Sequence, residues 1–115
     1  SEMVDNARRM ARAVDIPMIV DADTGYGNVL NVMRTVEEFE AAGVAAIQIE
    51  DQVFPKKCGH YEGKQVIPAD EMVQKIRMAV DTRRDKDLVV IARTDAIAVN
   101  GFDDAMARAR ASSCA

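Results

Sequence analysis

The chain has 115 residues, 49% of them hydrophobic and 30% charged, which is the balance of a globular α/β protein and not of a disordered segment. With 15 Lys and Arg against 19 Asp and Glu, the net charge is -4; no basic stripe is available to follow a phosphate backbone, which argues against nucleic acid as the main partner and leaves small anions open. The longest apolar runs, such as 16–20 and 88–92, fall far short of the roughly 20 residues a membrane helix needs, so no membrane span is expected.

From the amino terminus, Met3, Ala7, Met10, Ala11 and Val14 recur at steps of three and four, predicting an amphipathic helix over 2–14 whose stripe faces a core. This stretch has no apolar h-region, so it is no secretory signal and a cytoplasmic location is expected. It also begins at Ser1 already inside a helical pattern, which points to a piece of something longer. Pro17 closes the helix, 17–20 reads as a short buried strand ending in Asp21-Ala22-Asp23, and the glycines of 24–28 supply a loop. A second helix follows from Val29 to Ala42, with Asn28 as N-cap and Gly43 just past its end. Residues 44–49 form a second strand with Glu50 and Asp51 at its carboxyl end. The loop from Gln52 to Pro68 is long for a compact α/β unit and so reads as functional. A third helix opens near 68–71, a third strand spans 88–92 and ends at Arg93-Thr94-Asp95, and a fourth helix is expected near Asp103 as N-cap.

Alternation of helices with near-continuous apolar strands predicts a parallel sheet covered on both faces, about three strands with four helices, in one domain over 1–115. Three strand ends carry polar sets: Asp21 and Asp23, Glu50 and Asp51, Arg93 and Asp95. In parallel α/β architectures this edge is where sites assemble, so the sets should converge.

Asp21 and Asp23, two apart on a strand end, would share one face of the pleat. With Glu50 they form a hard-oxygen corner suited to Mg²⁺ held partly through waters; a helix cap beside a solvated acid is the plainer alternative. Gly25-Tyr26-Gly27 matches a dinucleotide fingerprint only in part, since Leu30 stands where the third glycine belongs. It reads better as a tight turn whose helix amides hold a carboxylate, with Tyr26 lining the pocket. In Lys56-Lys57-Cys58-Gly59-His60, nothing nearby completes a tetrahedral zinc set, while the positive surroundings favour a Cys58 thiolate; a surface loop with an incidental cysteine is the alternative. Cys58 and Cys114 are expected as free thiols. Arg93 is either a structural ion-pair partner or a bidentate clamp on a carboxylate. The seven methionines read as core filler.

Taken together, VDADTGYGN, IQIEDQVFPKKCGH and VIARTDA resemble the isocitrate lyase and phosphoenolpyruvate mutase superfamily, nearest its methylisocitrate and dimethylmalate lyase branch. The resemblance runs from about Asp5 to Arg110, and KKCGH is its specific element. It implies a (β/α)₈ TIM barrel, of about 250 residues when complete, of which this chain would be a fragment with about three βα units. It further implies that Asp21, Asp23 and Glu50 hold Mg²⁺, with Mn²⁺ as the alternative ion, and that Cys58 is the catalytic acid. Lys56 and His60 would orient the loop and bind developing charge, Gly59 would let the backbone approach, and Arg93 would clamp a small carboxylate substrate. The implied reaction is carbon-carbon cleavage of a 2-hydroxy di- or tricarboxylate by a homo-oligomeric, tetrameric parent, with the fragment itself inactive. Oxaloacetate hydrolysis or decarboxylation is the alternative within the superfamily, and a nucleotide-binding module is the alternative outside it.

Overall fold

The computed structural model describes residues 2–53 and 65–115. In chain order it contains α1 (Glu2–Ala13), β1 (Ile19–Asp21), α2 (Val29–Ala42), β2 (Ala46–Glu50), α3 (Ala69–Thr82), β3 (Val89–Arg93), α4 (Ala96–Asn100) and α5 (Phe102–Ser113). The strands pair in parallel in the order β1-β2-β3, with Ile19 opposite Ala46 and Ala46 opposite Val89.

Each strand lies one or two residues later than its apolar run. Ladder bonds use only the backbone, so pairing continues into the polar residues, and Asp21, Glu50 and Arg93 are the last members of their strands. The second helix starts and stops where its capping residues stand. Asn28 Oδ1 accepts from the amides of Leu30 (3.0 Å) and Asn31 (3.2 Å), Asn31 reciprocates to the Asn28 amide, and Gly43 closes the helix in the left-handed region at φ 93°.

The carboxyl-terminal helical stretch differs from expectation. Two helices, α4 and α5, stand where one was predicted, making five among the described residues. Gly101, at φ 93°, breaks the run between them. Helix α5 therefore begins at Phe102, and Asp103 sits inside its first turn, not at its cap. In α1 the buried residues are Val4 and Ala7, whereas Met3 and Met10 are half exposed, so the methionines there do not fill the core; Met72 does.

Alternation along the strands sorts their residues into two faces. One carries Val20, Ile47 and Ile49, which join Val4, Val32, Val36, Phe39, Met72, Ile76 and Ala79 in a single core under α1, α2 and α3. The other carries Ile19 and Val89, 64% and 53% exposed. Among the described residues, the expectation of cover on both faces thus holds for one face only. A barrel supplies the other cover by closing the sheet on itself.

Candidate active site

The register gathers the polar strand ends on the uncovered face. Asp21 pairs with Gln48, and Gln48 with Ile91; two residues further, Glu50 pairs with Arg93. Residues two apart share a face, so Asp21, Gln48, Glu50 and Arg93 all belong to the side without helices. Glu50 is only 2% exposed, and the Arg93 Nε lies 3.8 Å from its Oε2. Arg93 also reaches Asp95 Oδ1 at 3.2 Å while staying about half exposed, so it is paired and still open to the face.

Asp23 arrives by a different route from the one the spacing predicts. The strand ends at Asp21; the Ala22 amide still donates to the carbonyl of Gln48 (2.9 Å), but the Glu50 amide then donates to the carbonyl of Asp23 (2.8 Å), and the carbonyl of Ala22 accepts from the Gly25 amide (2.9 Å). Asp23 has φ 53°, outside the pleat, so the alternation rule does not apply to it. Its amide instead donates to Asp21 Oδ1 at 2.8 Å, and a turn brings the two acids together.

That turn is held from two sides. Thr35 Oγ1 donates to the carbonyl of Gly25 (3.1 Å), and Lys75 Nζ donates to the carbonyl of Thr24 (3.1 Å) from below. Lys75 is 4% exposed; burial pushes its ammonium below the ordinary value, with Glu71 acting in the opposite direction. Gly25 sits at φ 83° against α2, where an added Cβ would lie 2.5 Å from Val32 Cγ2. Gly25→Ala is therefore expected to lower the unfolding free energy by about 1–3 kcal/mol, read as a shifted urea midpoint, because it combines backbone strain with a clash. An unchanged midpoint would show that the turn can move away from α2.

Asn28 caps Leu30 and Asn31, so two of the helix amides that follow the Gly25-Tyr26-Gly27 turn are already bonded within the chain. A carboxylate or a nucleotide phosphate at this turn would have to compete with the Asn28 side chain for those two amides. Tyr26, itself in the left-handed region at φ 62°, lines a hollow of about 350 Å³ with Val4, Arg34 and Phe39, between α1 and α2. None of the strand-tip acids lines that hollow.

Below the tips lies a buried polar network on the helix-covered side. Asp51 is fully buried and accepts from Thr94 Oγ1 (2.6 Å), the Asp95 amide (2.9 Å) and Arg108 (3.2 Å). Arg108 donates as well to the carbonyl of Ile67 (2.6 Å) and to Asp104 Oδ2 (2.9 Å). Hydrogen bonds from Asn100 and then Arg108 hold the Asp104 carboxyl below the usual carboxylate range. Gln52 Nε2 donates to Asp95 Oδ2 at 3.0 Å. Lys75, Gln52 and Arg108 were not singled out from the sequence. The two cations had a legible signal: Lys75 falls in phase with Met72, Ile76 and Ala79, and Arg108 with Ala105 and Ser112, on the buried stripe of each helix.

The base of the long loop is closed by an antiparallel bridge between Gln52 and Val66 and by bonds from Val53 to Gln65 and from Ile67 to Asp51. Lys56, Cys58, Gly59 and His60 lie outside the described residues. Cys114 is an exposed free thiol.

The family model described as phosphoenolpyruvate phosphomutase matches residues 1–115. The chain belongs to this phosphoenolpyruvate mutase family. Among curated relatives, 2,3-dimethylmalate lyase of Eubacterium barkeri is 55% identical over 108 residues, 94% of this chain and 37% of that protein. The 2-methylisocitrate lyase of Aeropyrum pernix is 54% identical over 110 residues, 96% of this chain and 35% of that protein. Among solved structures, 2,3-dimethylmalate lyase superposes with a TM-score of 0.93 at 44% identity, covering 98% of this chain and 38% of its own. Oxaloacetate acetylhydrolase with 3,3-difluorooxalacetate follows at 0.92 and 44%, covering 98% and 39%. Phosphonopyruvate hydrolase, solved with oxalate and Mg²⁺, gives 0.86 and 38%, covering 96% and 38%. The chain thus spans a little over a third of the length of these relatives. Its three parallel strands are part of the TIM-barrel fold of the superfamily. Among the described residues no helix is long and apolar enough to cross a membrane.

The donor set of this phosphoenolpyruvate mutase family member fits a magnesium-type ion. Asp21, Asp23 and Glu50 offer only carboxylate oxygens, the hard donors such an ion takes, but among the described residues no group of three His, Cys, Asp or Glu, these three included, is gathered to hold a metal. Carboxylate oxygens suit Mg²⁺, which keeps several waters, whereas Zn²⁺ takes nitrogen and sulfur ligands as well.

Proposed function

We propose that the chain is the metal-and-acid segment of a carbon-carbon lyase that cleaves a 2-hydroxy di- or tricarboxylate of the methylisocitrate or dimethylmalate type. The products would be a pyruvate-like 2-oxo acid and a second acid such as succinate or propionate. The observation that carries this reading is the sharing of one uncovered sheet face by Asp21, Glu50 and Arg93 at the carboxyl ends of three parallel strands. Acids that hold a cation stand there beside a guanidinium that can grip a carboxylate.

When bound, Mg²⁺ would supply charge stabilisation for the oxygens of the 2-oxo acid. Asp21 and Asp23 would hold the ion and its waters, with Glu50 supporting that shell. Arg93, kept in place by Asp95, would bind a substrate carboxylate. As the 2-hydroxyl gives up its proton to a base or water and its oxygen forms the carbonyl of the 2-oxo acid, the carbon-carbon bond breaks, its electron pair leaves with the second acid, and Cys58 delivers a proton to that carbon. Lys56 and His60 would stabilise the negative charge that develops there, with Gly59 allowing the backbone to come close. The roles of these four loop residues rest on the KKCGH motif in a chain about half identical to the named lyases.

The complete subunit is proposed to form a homotetramer in the cytoplasm. The 115 residues alone are proposed to be inactive, since their open face and unpaired strand edges need the rest of a barrel. The test is a substrate panel on the complete subunit with Mg²⁺: 2-methylisocitrate, 2,3-dimethylmalate and oxaloacetate, with 2-oxo acid release followed directly. Cleavage of one of the first two supports the lyase. Turnover of oxaloacetate alone would replace it with the hydrolase or decarboxylase reading, which the likeness to oxaloacetate acetylhydrolase keeps in view.

A further inference from the structure

The strand-tip arginine is held by a relay that begins on the far side of the sheet. Arg108, on α5, is 7% exposed and bonds Asp51, which is fully buried. Leaving a buried carboxylate without a partner is strongly disfavoured, so the bond from Arg108 holds Asp51 in place. Asp51 in turn accepts from the Thr94 hydroxyl and the Asp95 amide, the two residues directly after β3. The Asp95 carboxylate is then shared between Gln52 at 3.0 Å and Arg93 at 3.2 Å. Every link is within hydrogen-bond distance.

The relay crosses the sheet. Glu50 and Arg93 belong to the uncovered face, whereas Asp51 and Thr94, one residue further along, turn to the side packed by α3 and α5. There they line a hollow of about 250 Å³ with Met72, Val90 and Arg108, and Arg93 reaches its rim. Arg108 itself, 7% exposed, spends its guanidinium on Asp51, Asp104 and the carbonyl of Ile67. We propose that Arg108 is a positioning residue for Arg93, acting through Asp51 and Asp95 to set the guanidinium toward a substrate carboxylate; this rests on the lyase reading above.

The experiment is a double-mutant cycle on the complete subunit, with Arg93→Met, Arg108→Met and both together, assayed with the substrate that the panel identifies. Arg108→Met is expected to raise KM by about 10- to 100-fold with a smaller loss in kcat, the size of effect that a displacement near 1 Å produces. In the Arg93→Met background the same change should do almost nothing, because its effect runs through Arg93. Arg108→Lys, which keeps a cation beside Asp51, should recover most of the KM. If Arg108→Met fails to fold, the cycle is run with Arg108→Lys, whose residual rise in KM, about threefold, should likewise vanish without Arg93. Additive effects, or a fall in kcat with KM unchanged, would overturn the positioning role. A wild-type subunit that cleaves nothing on the panel would instead overturn the lyase reading on which it stands.

Discussion

Cys58→Ser in the complete subunit is expected to lower turnover by about 10²- to 10⁴-fold, the range that a positioned proton donor contributes, while leaving Mg²⁺ affinity nearly unchanged. The split follows from the division of labour proposed above. The carboxylates at the strand tips come from β1, β2 and the turn that Asp23 begins, whereas Cys58 belongs to the loop closed at its base by Gln52 and Val66. A serine hydroxyl is nearly isosteric with the thiol but far less acidic, so it fills the space without releasing its proton readily. Turnover and Mg²⁺ titration, the latter by calorimetry, check the two halves separately. Retained turnover would remove Cys58 from the acid role; a parallel loss of Mg²⁺ binding would mean that the loop helps build the metal site.

Asp21→Ala is expected to be the converse. Mg²⁺ binding and turnover should fall together, turnover by about 10²-fold or more, as when one preorganised group is removed from a centre of developing charge. A chelator should reproduce the loss in the wild type, and added Mg²⁺ should reverse it. The change carries a structural consequence as well, because Asp21 Oδ1 accepts from the amide of Asp23, which sits at φ 53°. Asp21→Asn keeps that acceptor while removing the charge, so it separates the two effects. If Asp21→Asn binds Mg²⁺ like the wild type, the negative charge at this position does not hold the ion.

Much of the architecture was legible because it depends on short-range rules. Asn28 and Gly43 marked the ends of α2 because a helix terminus needs a side-chain acceptor for its free amides at one end and a left-handed residue at the other, and both needs are met within a few residues. The same reasoning misjudged Asp103. Its side chain suits a cap, but Gly101 had already turned the chain, and Phe102 opens the helix. Periodicity overestimated the core role of Met3 and Met10, since it detects a stripe without revealing which neighbour covers it.

The candidate site divides in the same way. That Asp21, Glu50 and Arg93 stand at strand ends could be read from apolar runs followed by charge. That they share a face depends on register, which is set by pairing between segments about 27 and 43 residues apart. Arg108 lies 57 residues from Asp51 in the chain and 3.2 Å from it in space, and only the helical phase of Arg108 hinted at its burial.

Taken alone, the order of residues determined the alternation of helix and strand, the polar strand tips, the helix caps and the motif that marks the family. Each of these follows from local backbone preference, or from the side chains the chemistry requires. Tertiary structure alone decided which face of the sheet stays uncovered, that Asp23 leaves the pleat through a turn, and that two buried cations, Lys75 and Arg108, support the tips from beneath. Those outcomes depend on packing and hydrogen bonds between distant segments, whose partners no local pattern names.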